Sequence, residues 1–240
     1  MFEKIEKLQI ATLGLLVALS LIISTRIVTK NFNNNVISVT GSAYEIVKSD
    51  SGTLNFDINV KSQTKQDAYK IAQNQINIVK NYLTEKQIKK VELKTVNGYY
   101  SYKRNPKTGE YTDTPDVYNL TQPITISSDN VELIKDISNN ITGLIDKGVD
   151  INVYAPSYDY SKLPDLKISL LEKASKDAKS RAISMLKPTH NSVGKIQSVR
   201  MGVYQITPVD STSVSDMGIN DTSSIDKKVT AVANVSFKIK

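Results

Sequence analysis

Between Thr53 and Val60 apolar and polar residues alternate: Leu54, Phe56, Ile58 and Val60 take one face, and Asn55, Asp57 and Asn59 the other. Period two over that length predicts a half-buried strand. The period then changes. From Thr64, Ala68, Ile71, Ala72, Ile76, Val79 and Leu83 share one side of a helix, with Thr64 as cap and Asp67 three residues on to close an acidic capping box. Strand patterning returns from Val91 through Leu93 to Tyr102. Asn105-Pro106-Lys107-Thr108-Gly109 predicts a turn, and Asp116 to Ser127 a returning strand. Asp129 and Glu132 predict the start of a second helix with Leu133, Ile134, Ile137, Ile141 and Leu144 inward, stopped by Gly148. Val149 to Ala155 again predicts a strand.

That order, strand-helix-strand-strand-helix-strand, is the split β-α-β or ferredoxin-like pattern, so the fold class expected is α+β. An extra strand, Val36 to Thr40, precedes it and is expected to break at Gly41-Ser42. A third helix begins near Pro164, a residue suited to the first helical position, and carries a stripe of Leu163, Leu166, Leu170, Ala174, Ala178, Ala182 and Met185. Three alanines at intervals of four leave little bulk, which suits close packing on a sheet or on a partner. Two strands complete the chain, about Lys195 to Ile206 and Lys228 to Ile239. The Ser-, Thr- and Asp-rich connection between them, residues 209–227, is expected to be a mobile or interacting loop because connections that long are uncommon.

At the N-terminus the pattern loses its polar positions. Leu8 to Thr25 is eighteen residues without a charge, between Lys4 and Lys7 on one side and Arg26 and Lys30 on the other. Roughly 20 apolar residues cross a bilayer as a helix, so this run predicts a single transmembrane anchor within residues 1–30. A cleaved secretory signal is the alternative. Ala18-Leu19-Ser20 offers small residues, but Leu21-Ile22-Ile23 carries the apolar stretch past that cut. A tail this short stays in the cytoplasm as a rule, which puts the body, residues 36–240, outside. Residues 31–35 are then a polar spacer.

Charge and composition narrow the chemistry. Residues 31–240 carry 27 Lys and Arg against 22 Asp and Glu, a net +5 spread along the chain. No basic stripe with interleaved stacking aromatics argues for nucleic acid. Cysteine is absent, which excludes disulfides, thiolate nucleophiles and cysteine metal sites and suits an exported protein. His190, the sole histidine, sits in a Pro-Thr-His-Asn loop with no second histidine to make a ligand pair, and no G-x-S-x-G elbow is present. Asp129 with Glu132, and Asp113 with Asp116, read as capping and turn residues before they read as an acid/base pair. No catalytic residue, cofactor or metal ligand is assigned. Tyrosine is the one excess, twelve against no tryptophan. Tyr99, Tyr100, Tyr102, Tyr111 and Tyr118 lie on the two hairpin arms, where strand propensity, a protein interface or glycan stacking each account for them.

Two segments carry a resemblance. Ile37-Ser38-Val39-Thr40-Gly41-Ser42-Ala43, following an export segment, resembles the opening motif of the SIMPL-domain family. Leu170 to Ala174, Asp177-Ala178-Lys179, Arg181-Ala182 and Val193-Gly194-Lys195-Ile196 are similar to its second signature, a helix followed by a strand entry. The likeness covers about residues 36–240. It departs at Ser49-Asp50, where family members often have Pro-Asp, and in lacking a Gly-Tyr before the strand near Tyr118. The resemblance implies an extracytoplasmic protein without established catalysis, linked to envelope integrity and stress, some of whose relatives assemble into hollow oligomers. The function expected is therefore a membrane-held, self-assembling domain. Its contact surfaces would be Tyr99, Tyr100, Tyr102, Tyr111 and Tyr118, and the face of Ala174, Ala178 and Ala182. An envelope-polymer hydrolase using carboxylates, and a sensory domain binding a small ligand between the helices and the C-terminal strands, are the alternatives.

Overall fold

A computed structural model describes residues 12–26 and 35–240. Helix α1 spans residues 12–26. The described part is about 22 Å long at 1.5 Å per residue, against the roughly 30 Å of a bilayer core. Among the described residues no helix is long and apolar enough to cross a membrane. Leu8 to Ala11 of the apolar run, and most of the 31–35 spacer, lie outside the described residues. The apolar side chains of α1, Leu15, Leu16 and Ile22 among them, are exposed.

The remainder is α+β, with its strands in two sheets. Its elements are β1 (Val36–Lys48), β2 (Ser51–Ser62), α2 (Lys65–Glu85), β3 (Lys90–Leu93), β4 (Asn97–Arg104), β5 (Tyr111–Ser128), α3 (Val131–Asn140), β6 (Ile151–Val153), β7 (Ser157–Asp159), α4 (Leu163–Leu186), β8 (Val193–Met201), β9 (Gln205–Pro208), β10 (Ile219–Asn220) and β11 (Asp226–Ile239). They form two compact units. One comprises residues up to Ser42 with Glu172–Gly202 and Val232–Lys240; the other comprises Ala43–Leu171 and Val203–Ala231.

The larger unit holds the expected β-α-β-β-α-β core. Its sheet runs β3-β5-β2-β6, all antiparallel, with β4 also on β5 and β7 also on β2. Leu54, Phe56, Ile58 and Val60 of β2 and Leu120, Ile124 and Ile126 of β5 point to one face. Onto that face pack Ala68, Ala72, Ile76, Val79 and Leu83 of α2 with Ile134 and Ile137 of α3. Thr64 caps α2 as expected, accepting the Asp67 N–H at 3.1 Å while its hydroxyl donates to the Asp67 carboxylate at 2.8 Å. The cap of α3 is different. Asn130, not Asp129, accepts the Leu133 N–H at 3.2 Å. Asp129 and Glu132 face Lys90 and Lys48 at 3.7 and 3.1 Å instead. Gly148 ends the 3-10 turn after α3 with φ 82°, as its position predicts.

The strand expected to run from Val91 to Tyr102 is broken at residues 94–96, and Pro123 on β5 explains the break. Its carbonyl accepts the Lys94 N–H at 3.0 Å, but its ring nitrogen has no proton to return to the neighbouring strand. The buried Gln122 amide supplies one, donating to the Lys94 carbonyl at 2.7 Å and to Pro123 at 2.9 Å. Asn105 to Gly109 forms the predicted turn, with Asn105 Oδ1 accepting the Lys107 N–H and Gly109 at φ 75°.

In the smaller unit β11 lies between β1 and β8. Ala233, Val235 and Phe237 of β11 are buried together with Ala174, Ala178 and Ala182 of α4. Leu186, not Met185, continues that helical stripe; Met185 is exposed because the spacing of four, not three, is kept to the end. The segment 209–227, expected to be a mobile or interacting loop, carries hydrogen bonds along its length within the larger unit. Gln205 exchanges both amide groups with Ser215, β10 pairs in parallel with β9, and Lys228 Nζ donates to the Ser211 carbonyl at 2.6 Å.

Candidate functional site

The two motifs picked out in the sequence meet in the smaller unit. Strand β1 does not stop at Gly41 but passes through it. A Cβ at this position would fall 2.8 Å from Ala178 Cα and closer still to the Ala174 carbonyl oxygen and the Ala178 nitrogen. Glycine on the strand and alanine on the helix are thus one adaptation, the close approach of two backbones. Asp177 secures it: its Oδ2 accepts the Ser42 N–H at 2.9 Å and the Arg181 Nε–H at 2.8 Å. Gly194, at the entry to β8, similarly leaves room for the Lys238 carbonyl of β11. A model of the SIMPL family, described as "Protein of unknown function (DUF541)", matches residues 37–237. This chain belongs to the SIMPL family. A search among curated proteins finds no match.

In this SIMPL protein the alanine face is therefore covered by its own strand. Ala174, Ala178 and Ala182 are fully buried in the smaller unit, where β1 takes the place that a partner could otherwise have held. The tyrosines divide. Tyr99 and Tyr111 are each 67% exposed, and Tyr100 and Tyr102 are exposed as well. Tyr118 is buried, its ring edge-on to Tyr100 at 4.8 Å and lying where a Cβ on Gly98 would be. Tyr118 is a packing residue, because the pleat of β5 turns it to the core side. Arg104 stacks over Tyr111 at 4.5 Å and donates from Nη2 to its hydroxyl at 2.8 Å, which stiffens the hairpin tip.

Sequence reasoning placed a strand at about Lys195 to Ile206 but missed its break after Met201, into β8 and β9, and the open edge of β8. Among the described residues β8 pairs only with β11, and both its faces are exposed. Phe237, Val235 and Ala233 register with Ile196, Val199 and Met201, so all six point to the same face of the sheet. The β11 residues are buried; Ile196, Val199 and Met201 are 59%, 51% and 58% exposed. The bulges between Ser236 and Ile239 hid this from an alternation count, since they put 196 and 199 on one face despite odd spacing.

A second departure is local. Ser49 replaces the proline expected from the resemblance, and its N–H donates to the Ile225 carbonyl at 2.8 Å, a bond proline cannot make. The buried Lys227 was also unforeseen. It donates to the Asp221 backbone carbonyl at 2.7 Å and stands 3.7 Å from Asp221 Oδ2. Burial opposes ionisation of Asp221, yet the hydroxyl and N–H of Ser223 and the charge of Lys227 outweigh it and bring its pKa down to about 2. For Lys227 burial is the largest influence and pushes its pKa down. His190 is an exposed loop residue at φ 58°. Among the described residues no group of three His, Cys, Asp or Glu side chains is placed to hold a metal ion.

Proposed function

We propose that this SIMPL protein is a non-catalytic assembly domain, held at a membrane by its N-terminal segment with residues 36–240 on the extracytoplasmic side. It joins copies of itself through β8 in support of the cell envelope. The observation that carries the assembly reading is the open strand β8. An edge strand with unpaired backbone groups and an apolar row is a template for another strand. Ile196, Val199 and Met201 supply that row. The exposed tyrosines of the β4–β5 hairpin add a second contact surface of the amphipathic kind enriched at interfaces. The anchoring reading is supported by the uncharged run Leu8 to Thr25 and by the exposed apolar side chains of α1. Retention of that segment, with release after cleavage as the other outcome, is read from the N-terminal residue of the mature protein in a membrane fraction.

Light scattering on the full chain in mild detergent tests the assembly. The native protein is expected above monomer mass, and Val199→Lys is expected to return it to monomer with its circular dichroism unchanged. A native chain that stays monomeric across the concentration range overturns the reading.

A further inference from the structure

The larger unit contains a cavity of about 570 Å³ that none of the preceding roles uses. Its size is within the range of small-molecule sites. One side comes from α3, with Lys135 and Asn139; the other comes from the segment leading into β11, with Asp210 and Asp226. The floor is apolar: Tyr158 is buried, and Ile225 is half-buried. The connection that forms one side is held in place, since Tyr158 N–H donates to the Thr222 carbonyl at 2.7 Å and Lys227 ties down Asp221.

The charges of this cavity are uncommitted. Among the described residues Lys135, Asp210 and Asp226 enter no ion pair, with each other or with any neighbour, although cation and carboxylates line one space. Asn139 likewise makes no side-chain hydrogen bond there. A simple anion entering the cavity meets two carboxylates, and a nucleotide or sugar phosphate is disfavoured on the same ground. A simple cation meets Lys135. A molecule with a carboxylate at one end and an ammonium at the other satisfies both sides, and an apolar side chain between them covers Tyr158 and Ile225. We propose that this cavity binds a zwitterion with an apolar side chain, an amino acid or dipeptide, with its carboxylate on Lys135 and Asn139 and its ammonium on Asp210 and Asp226.

Titration calorimetry on the full chain tests this with three probes: leucine, leucyl-leucine, and N-acetyl-leucinamide, which has the same side chain and no charge. A saturable heat is expected for a zwitterion and none for the capped compound. Leucine binding as well as the dipeptide identifies a free amino acid as the ligand, and binding by leucyl-leucine alone identifies a peptide. Loss of one charge-assisted contact is worth about tenfold in affinity, so Lys135→Gln is expected to weaken binding by about that factor, and the double variant Asp210→Asn/Asp226→Asn, which removes two, by up to about a hundredfold. The three side chains are exposed, so the variants fold, and circular dichroism checks that they do. Absence of saturable binding for both zwitterions at millimolar concentration overturns the proposal. So does equal binding of the capped compound, or unchanged affinity in both variants. Oligomer mass is read separately, so a failure here leaves the β8 reading standing or falling on its own test.

Discussion

Replacing Gly41 by alanine adds one methyl group where β1 and α4 come nearest. The new Cβ would stand 2.8 Å from Ala178 Cα, against 3.4 Å or more for ordinary contact, and the atoms it meets are backbone rather than the end of a flexible side chain. No rotamer change relieves this, so strand and helix must separate. The shortfall at Ala178 Cα alone, 3.4 minus 2.8, is about 0.6 Å. A radial gap of about 0.5–1 Å forfeits a quarter to a half of each dispersion contact. The fully buried Ala174, Ala178 and Ala182 have no longer atoms with which to refill it. The bond from Ser42 N–H to Asp177 stretches with the same movement. Overpacking of this kind costs about 1–3 kcal/mol, and with backbone on both sides we expect the upper end, about 3 kcal/mol. In a chain of this length that lowers the melting temperature by about 6–12 °C, measured by circular dichroism on the full chain. Gly143→Ala is the control: its Cβ would meet nothing within 4 Å and its φ is not positive, so it should be neutral or slightly stabilising. A fall of less than about 2 °C for Gly41→Ala, or an equal fall for both variants, refutes the close-approach argument.

Acid should weaken the larger unit through Asp221. Its folded pKa of about 2 lies below the ordinary 3.8, so the stabilisation is complete above about pH 4 and is lost as pH falls through 2. The shift corresponds to about 2 kcal/mol; in Asp221→Asn, urea denaturation should show that much less stability at pH 7 and a flatter dependence between pH 4 and 2. Gln122→Ala should cost about 1–3 kcal/mol by leaving the Lys94 carbonyl without its donor, and a loss no larger than that of an exposed Gln→Ala change would show that the amide does not stand in for the proline's missing N–H. Tyr118→Ala should destabilise by about 3–5 kcal/mol, while Tyr99→Ala and Tyr111→Ala leave melting unchanged and lower oligomer mass only if the hairpin is a contact surface. Light scattering beside a thermal melt separates these outcomes.

Wherever one period governed a whole element, the chain was readable. Leu54 to Val60, the α2 face and the β-α-β-β-α-β order rest on patterns of 2.0 or 3.6 that packing did not override. Departures arose where a distant residue decides a local outcome. Gly41 breaks a strand by propensity, but the cause of its presence is a helix more than 130 residues away, and only contact with Ala174 and Ala178 reveals why the strand continues. Pro123 splits the facing strand rather than its own, because the missing N–H is felt by Lys94. The hairpin tyrosines were half legible: exposure of Tyr99 and Tyr111 follows from a long hairpin, whereas the turn of Tyr118 inward depends on register with Gly98. For the charged cavity there was no local signal, since Lys135 and Asp226 are ordinary surface residues until the chain brings them to one place.

The smaller unit is assembled from three pieces, one ahead of Ser42, one from Glu172 to Gly202 and one from Val232 to the end. The strands and helices of the larger unit's core, by contrast, come almost entirely from one stretch, Ser51 to Val153. Contacts close in sequence form early, and those that must wait for distant partners form late. A chain that emerges from its N-terminus, on a ribosome or through a translocation channel, can therefore build the core while its tail is still arriving. The Gly41 strand has to wait for α4, more than 130 residues on, and for β11 to pair with it, and until then its close-packing face stands bare. Loss of Val232–Lys240 would take away the strand on which both β1 and β8 pair, leaving the contact of Gly41 with Ala178 as the main tie between the family's two signature motifs.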